Sequence, residues 1–288
     1  MKANYFYSWS LILAISSCSV LNLVPSKKTH PIAFTQNPAN ESYSFVYQDP
    51  ENSPELADLI GLYGLDSVAA LGETEMDKVF ALLDWTNSRW EHSGSNQPSA
   101  SKALTILQEA EEGMKFRCVE YGIVLKSVLA ANGFYARTLG LKTRDVETTR
   151  YGAGHVLTEA WSNVHDKWFL LDGQFNLVPF ADGVPLNAVE FQSAIANGAD
   201  YKLMDLHGEV SQDRREKYMK FIPHYLYYFD FKFDQREVGY ADMLKVNDKS
   251  ILMLVPTQAK KPNVFQRKSP MDYLEYTHSL NDFYRRPM

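Results

Sequence analysis

Cys118, His155 and Asp172 stand in the middle of a 288-residue chain in the order nucleophile, base, orienter. A thiol attacks a carbonyl carbon as its thiolate, an imidazole takes and returns the proton, and a carboxylate holds the ring in one orientation. Cys118 lies in Gly113-Met-Lys-Phe-Arg-Cys-Val-Glu-Tyr-Gly122, where a glycine-marked loop passes into an apolar helix. Val119, Ile123, Val124, Val128 and Leu129 recur at helical spacing, and Asn132-Gly133 supplies the stop. A cysteine in a helix's first turn meets the positive end of the dipole and unpaired backbone N–H groups, which favour the thiolate. Arg117 adds a neighbouring positive charge.

His155-Val-Leu-Thr-Glu-Ala-Trp161 and Lys167-Trp-Phe-Leu-Leu-Asp172 read as strands joined by the polar turn Ser162-Asn-Val-His-Asp166. A hairpin centred between Asn163 and Val164 places Trp161 opposite Asp166, Glu159 opposite Trp168, Leu157 opposite Leu170, and His155 opposite Asp172. Directly opposed Cβ atoms lie about 4.5–5.5 Å apart, within reach of a carboxylate–imidazole contact. A slip by one residue would put the two side chains on opposite faces.

Each residue has a plainer explanation. A lone cysteine on an apolar helix is more often an inert core residue. A histidine opening a strand is commonly a polar rim residue, and an aspartate before glycine is commonly a turn former. In one compact segment, with a cross-strand contact expected between two of them, the three point to function.

The same segment resembles the transglutaminase-like superfamily. The resemblance is carried by Arg117-Cys-Val-Glu-Tyr-Gly122, Leu125-Lys-Ser-Val-Leu-Ala-Ala-Asn-Gly-Phe-Tyr-Ala-Arg137, Gly154-His-Val-Leu-Thr-Glu-Ala-Trp161 and Lys167-Trp-Phe-Leu-Leu-Asp172. It is specific over about 113–175, weaker back to Thr74, and absent beyond about Pro185. It implies a papain-like core with a Cys, His, Asp triad in this chain order. One departure is visible: Asp172-Gly-Gln-Phe stands where the family often has Asp-Pro-Thr. The resemblance also implies an oxyanion-hole side chain upstream of the cysteine, and Trp90 in Arg89-Trp-Glu-His-Ser-Gly-Ser-Asn96 is the candidate. The plainer reading of Trp90 is a staple between its helix and the core.

The amino terminus reads as an export signal, with Lys2 before an apolar stretch from Trp9 to Ile15 that is too short to span a bilayer. Ile15-Ser-Ser-Cys18 resembles the lipobox of bacterial lipoproteins, which would make Cys18 a lipid attachment point; an ordinary cleaved signal peptide is the alternative. With Cys18 lipidated, Cys118 is the one thiol left and has no disulfide partner, as expected of a reactive thiol in an exported protein. Residues 19–51 are polar and punctuated by prolines, suiting a tether. The formal net charge is −6, so no basic surface invites nucleic acid.

Helices are expected over 55–62, from Thr74 to about Trp90, from Ser101 to Ala110, at the cysteine, from Asn187 to Asn197, and from Ser211 to Phe221. Strands are expected at 134–141, in the hairpin, at 225–233 and at 251–255. Helices followed by an antiparallel sheet make an α+β fold. The expected organisation is a signal peptide (1–18), tether (19–51), transglutaminase-like domain (52–185) and C-terminal extension packed on the core (186–288). His92 and His165 lack zinc-ligand spacing, and no phosphate-cradling glycine loop is present. The functional expectation is an exported, membrane-anchored cysteine enzyme working on peptide, protein or cell-wall amide bonds through a thioester. It requires no cofactor and no metal. Hydrolysis is the simpler outcome, since water needs no second site; amine transfer remains open, as does a non-catalytic binding module that retains the triad.

Overall fold

The computed structural model describes residues 29–239 and 241–288; the expected signal peptide, lipobox and Cys18 lie outside the described residues. Helix α1 (Pro54–Tyr63) starts on a proline and stops at Gly64 in the left-handed region (φ 60°), and α2 (Leu65–Ala69) follows directly. Thr74 caps α3 (Glu75–Asn87) through a reciprocal box with Asp77, as its spacing predicts. Helix α4 (Ala103–Glu111) begins two residues later than the serine signal suggests. Its first N–H is received by the Glu237 carboxylate at 3.2 and 3.3 Å, a partner from far along the chain. Helix α5 (Cys118–Ala131) is buried along most of its length, and α1, α3 and α4 pack around it through Leu56, Leu59, Val79, Leu83 and Ile106.

Helix α5 lies on β1 (Ala136–Lys142) and β2 (Gly154–Ser162), which precede β3 (Lys167–Leu171). A second, smaller sheet comprises β4 (Val178–Ala181), β5 (Val184–Pro185), β6 (Lys202–Asp205) and β7 (Gly208–Glu209), with α6 (Ala188–Asn197) between β5 and β6. Then follow α7 (Gln212–Phe221), a short turn at Ile222–His224, β8 (Tyr228–Lys232), β9 (Ile251–Leu254), the hairpin β10 (Val264–Phe265) and β11 (Ser269–Pro270), β12 (Leu274–Thr277) and α8 (Leu280–Phe283). The main sheet runs β12-β9-β8-β1-β2-β3. Each of its neighbouring pairs is antiparallel except β9 with β12, which is parallel because the β10–β11 hairpin lies in the crossover. The α+β class expected from the element order is what the chain adopts.

Helices α1, α3, α4 and α5 cover one face of the sheet, while α6, α7 and N-terminal aromatics cover the other. On the first face α5 comes close to β2 at Gly122, where an added Cβ would sit 2.7 Å from Val156 Cγ1. Across β1 and β2, the paired residues Arg137 and Glu159 form a buried ion pair at 2.6 Å, with side chains 1% and 0% exposed. The guanidinium lies over the Phe231 and Trp168 rings and donates to the Phe283 carbonyl at 2.8 Å. The other Glu159 oxygen accepts from Ala188 N–H and the Tyr284 hydroxyl, each at 3.1 Å. Every charged atom of the pair thus has a partner, which buried charge requires.

The tether expectation needs correction from Ile32 onward. Thr35 bridges to Ser279 and Val46 to Asp234; Tyr43 and Tyr47 are buried, and Phe45 packs on Phe231 and Phe233 at 5.1 and 5.5 Å. The aromatics set among the prolines cover the sheet, and the polar average of the stretch conceals them.

Candidate active site

Cys118 is the first residue of α5, with Arg117 as its extended N-cap (φ −83°, ψ 177°). First-turn N–H groups have no intrahelical acceptors, so they surround the thiol with donors. Cys118 is a free, partly exposed thiol. The charge expected from Arg117 is largely matched: its guanidinium meets the buried Glu120 carboxylate at 2.6 and 3.2 Å, and Glu120 also accepts the Arg117 backbone N–H at 3.0 Å. The helix terminus and the imidazole act on the sulfur together with what remains of that charge.

His155 is the second residue of β2 and is 2% exposed, while Asp172 directly follows β3 and is 0% exposed. His155 Nε2 lies 3.1 Å from Asp172 Oδ2. The Cys118 sulfur also acts on the ring; with Nε2 on the aspartate, Nδ1 is the nitrogen left to serve it. Burial works against a charge on His155, but the Asp172 carboxylate and then the Cys118 sulfur outweigh it, and the imidazole is pushed up to about 9. Near neutral pH the ring is an imidazolium.

The register that brings them together differs from the expected one. Ser162 pairs with Lys167, Trp161 with Trp168 and Glu159 with Leu170, so the turn is the four residues Asn163 to Asp166, with Asp166 at φ 50°. Extending this ladder puts Asp172 opposite Leu157, and His155 one diagonal step away. The slip is by two, an even number, so the facing of every side chain survives. A diagonal neighbour is still within reach of a long side chain such as histidine.

Asp172 is held by the turn it opens. Its Oδ1 accepts the N–H groups of Gln174 and Phe175, each at 3.1 Å, and its backbone bridges to Leu177. Asn87, the last residue of α3, donates to the Gly173 and Gln174 carbonyls at 2.9 and 3.0 Å. Arg214 on α7 donates to the Phe175 and Asn176 carbonyls, each at 3.0 Å. An added Cβ on Gly173 would meet Tyr121 Cβ at 3.3 Å. The glycine after the aspartate, at which the sequence departs from the family pattern, therefore lets this turn lie against α5.

Trp90 is buried, tilted against Tyr121 at 4.5 Å and edge-on to Phe116 at 5.9 Å. Its carbonyl accepts the Tyr121 hydroxyl at 2.7 Å, and its indole N–H has no hydrogen-bond partner. Trp90 thus packs against the helix that carries Cys118 and keeps an unspent donor.

Sequence reasoning missed the wall around the imidazole. Phe221 meets His155 edge-on at 5.0 Å, Tyr225 lies at 5.8 Å, and Phe175 at 6.4 Å. Burial first, and then the Cys118 charge, raise the Tyr225 phenol. Tyr218, Phe221 and Tyr225 recur at near-helical spacing in the segment from α7 through the Ile222–His224 turn, a signal present in the sequence. His92, considered only as a metal ligand, sits near the pair: burial first and the His155 charge second hold it below the ordinary histidine range.

Cys118 at a helix start thus acts on a buried His155–Asp172 pair, one member on β2 and the other directly after β3. Residues 65–173 match the transglutaminase-like superfamily. The match contains Cys118, His155 and Asp172 and ends one residue beyond the aspartate. No curated protein is similar enough to match the chain. Among solved structures, the chain is similar to a candidate cysteine protease from Cytophaga hutchinsonii (18% identity, TM-score 0.34, 41% of this chain and 37% of that one). It is similar to the periplasmic domain of TgpA from Pseudomonas aeruginosa (17%, TM-score 0.31, 46% and 47%). It is also similar to red sea bream transglutaminase (14%, TM-score 0.29, 66% and 49%). The chain spans less than half the length of each of these structures. The matched span supplies the three candidate residues, while Phe221 and Tyr225 come from outside it.

Proposed function

We propose that the protein is a cysteine enzyme that cleaves amide bonds through a thioester. The observation that carries this reading is the buried His155–Asp172 contact at 3.1 Å, with the Cys118 sulfur acting on the same imidazole. The Cys118 thiolate attacks the carbonyl carbon, and the oxyanion meets first-turn N–H groups of α5, with the unspent Trp90 indole N–H as the side-chain donor. The C–N bond breaks as His155 gives its proton to the leaving amine. Water then attacks the thioester, losing a proton to His155, and the acid and the thiolate are released. Asp172 keeps the ring oriented and stabilises its charged form. An amine in place of water would give acyl transfer through the same intermediate.

Peptides, proteins and cell-wall amides are the substrate classes to screen, and the location is the cell envelope, with Cys18 as the lipid-bearing residue. The test is labelling of Cys118 by a thiol probe near neutral pH, followed by turnover on those substrates. Loss of both in Cys118→Ala with the fold intact is expected; no labelling of the folded parent overturns the reading in favour of a binding module. For the anchor, Cys18→Ser should release the protein or leave an uncleaved precursor. Continued processing and membrane attachment of that variant would refute lipidation.

A further inference from the structure

Asp172 is wholly buried, and a buried carboxylate needs its lone pairs met by donors. Three are met: Oδ2 by His155 Nε2, and Oδ1 by the N–H groups of Gln174 and Phe175, all at 3.1 Å. Against Phe175, in the turn that Asp172 opens, packs Tyr218 on α7, also 0% exposed. Its ring packs on Phe175 at 5.0 Å and lies parallel to Phe191 at 6.3 Å. Its hydroxyl is buried without a hydrogen-bond partner, and burial first and the Asp172 carboxylate second hold the phenol well above its ordinary range. A fully buried hydroxyl without a partner calls for an explanation, and here the aspartate has room for one more donor.

We propose that Tyr218 is a positioning residue of the catalytic pair, its hydroxyl donating to Asp172 and fixing the carboxylate that orients His155. The phenol reaches the site from beyond the family-matched span 65–173. Segment 212–225 thereby acts on both members of the pair: Tyr218 on the aspartate, Phe221 and Tyr225 on the imidazole. A hydroxyl donating to Asp172 draws charge from the oxygen that faces His155 and so moderates how strongly the imidazolium is held. The assignment rests on the Cys118–His155–Asp172 reading, yet it is observable in the folded protein without any substrate.

The test is Tyr218→Phe in the full chain, which keeps the ring against Phe175 and Phe191 and removes only the hydroxyl. The readout is the His155 titration midpoint in isotope-labelled protein. The other titratable groups facing the pair are Cys118 on α5, His92 in the loop after α3, and Tyr225 after α7. They are common to both proteins. The expected result is a His155 midpoint raised by about half a pH unit or more, with no such change when Tyr218→Phe is added to Asp172→Asn. A midpoint that stays put or falls, whatever happens to the melting temperature, overturns the assignment. In the unsubstituted protein, a slowly exchanging Tyr218 hydroxyl proton should show cross-peaks to the Gln174 or Phe175 amide. A freely exchanging hydroxyl overturns the assignment even if the variant does not fold.

Discussion

Asp172→Asn separates a catalytic aspartate from a turn aspartate. The asparagine has nearly the same shape but one acceptor oxygen in place of two. Oδ1 now serves two backbone N–H groups at 3.1 Å, while Oδ2 serves one imidazole. The asparagine keeps its oxygen on the turn, where two donors wait, and turns its amide toward Nε2. Facing a donor, Nε2 must be an acceptor, so the neutral ring carries its proton on Nδ1, the nitrogen beside Cys118. That is the wrong tautomer for a base. The rise of His155 from 6.5 to about 9 corresponds to about 3 kcal/mol in favour of the imidazolium, surviving after burial has opposed it. Without the carboxylate charge, burial dominates and the ring is neutral near pH 7, so turnover should fall roughly 10²–10³-fold. The linkage has a definite sign. A folded value above the unfolded one stabilises the fold fully below about pH 6.5, and the benefit is lost as pH rises through about 9. The substitution should therefore lower the melting temperature more at about pH 6 than at about pH 10. Turnover and melting temperature are measured on one preparation. Unchanged turnover on a substrate that Cys118→Ala cannot process would remove Asp172 from the mechanism and refute this reasoning.

Three further outcomes are expected. Turnover of the parent should decline as pH rises through about 9, because neutral His155 has no proton for the leaving amine; a flat profile there would deny it the acid role. Glu159→Gln should cost about 3–5 kcal/mol in denaturant unfolding because Arg137 stays buried without its counter-charge, while Arg137→Met with Glu159→Leu together should cost much less. Equal losses in the single and double variants would contradict this. Gly122→Ala should lose roughly 1–3 kcal/mol, since its Cβ would press on Val156 Cγ1, and by lifting α5 from β2 it should slow probe labelling of Cys118 as well. A variant that labels at the parent rate would show that the helix and strand adjust independently.

Much of the fold was legible because its signals are short-range. The Thr74 and Asn187 boxes, the proline opening α1 and the apolar period of α5 act within one or two helical turns, and the corresponding helices appear where those signals lie. Alternation in the two hairpin strands showed that His155 and Asp172 share a face, because facing depends only on parity. The pairing itself was misjudged by two residues. A turn's length depends on which residue accepts the left-handed conformation, and here Asp166 does.

Local patterns were enough to place a cysteine at a helix start, a histidine and an aspartate on or beside adjacent strands, and the α+β order of elements. Caps, periodicity and alternation are written into neighbouring residues, and they were enough for that. Tertiary packing supplied the rest: Glu237 caps α4, Arg117 pairs with Glu120, aromatics after Ile32 cover the sheet, and Tyr218, Phe221 and Tyr225 gather around the His155–Asp172 pair. Most of these partners lie tens to hundreds of residues apart, and Arg117 and Glu120, though neighbours, had several side chains to choose among. Their pairing depends on which loops close and which surfaces are buried together, and no local pattern encodes that.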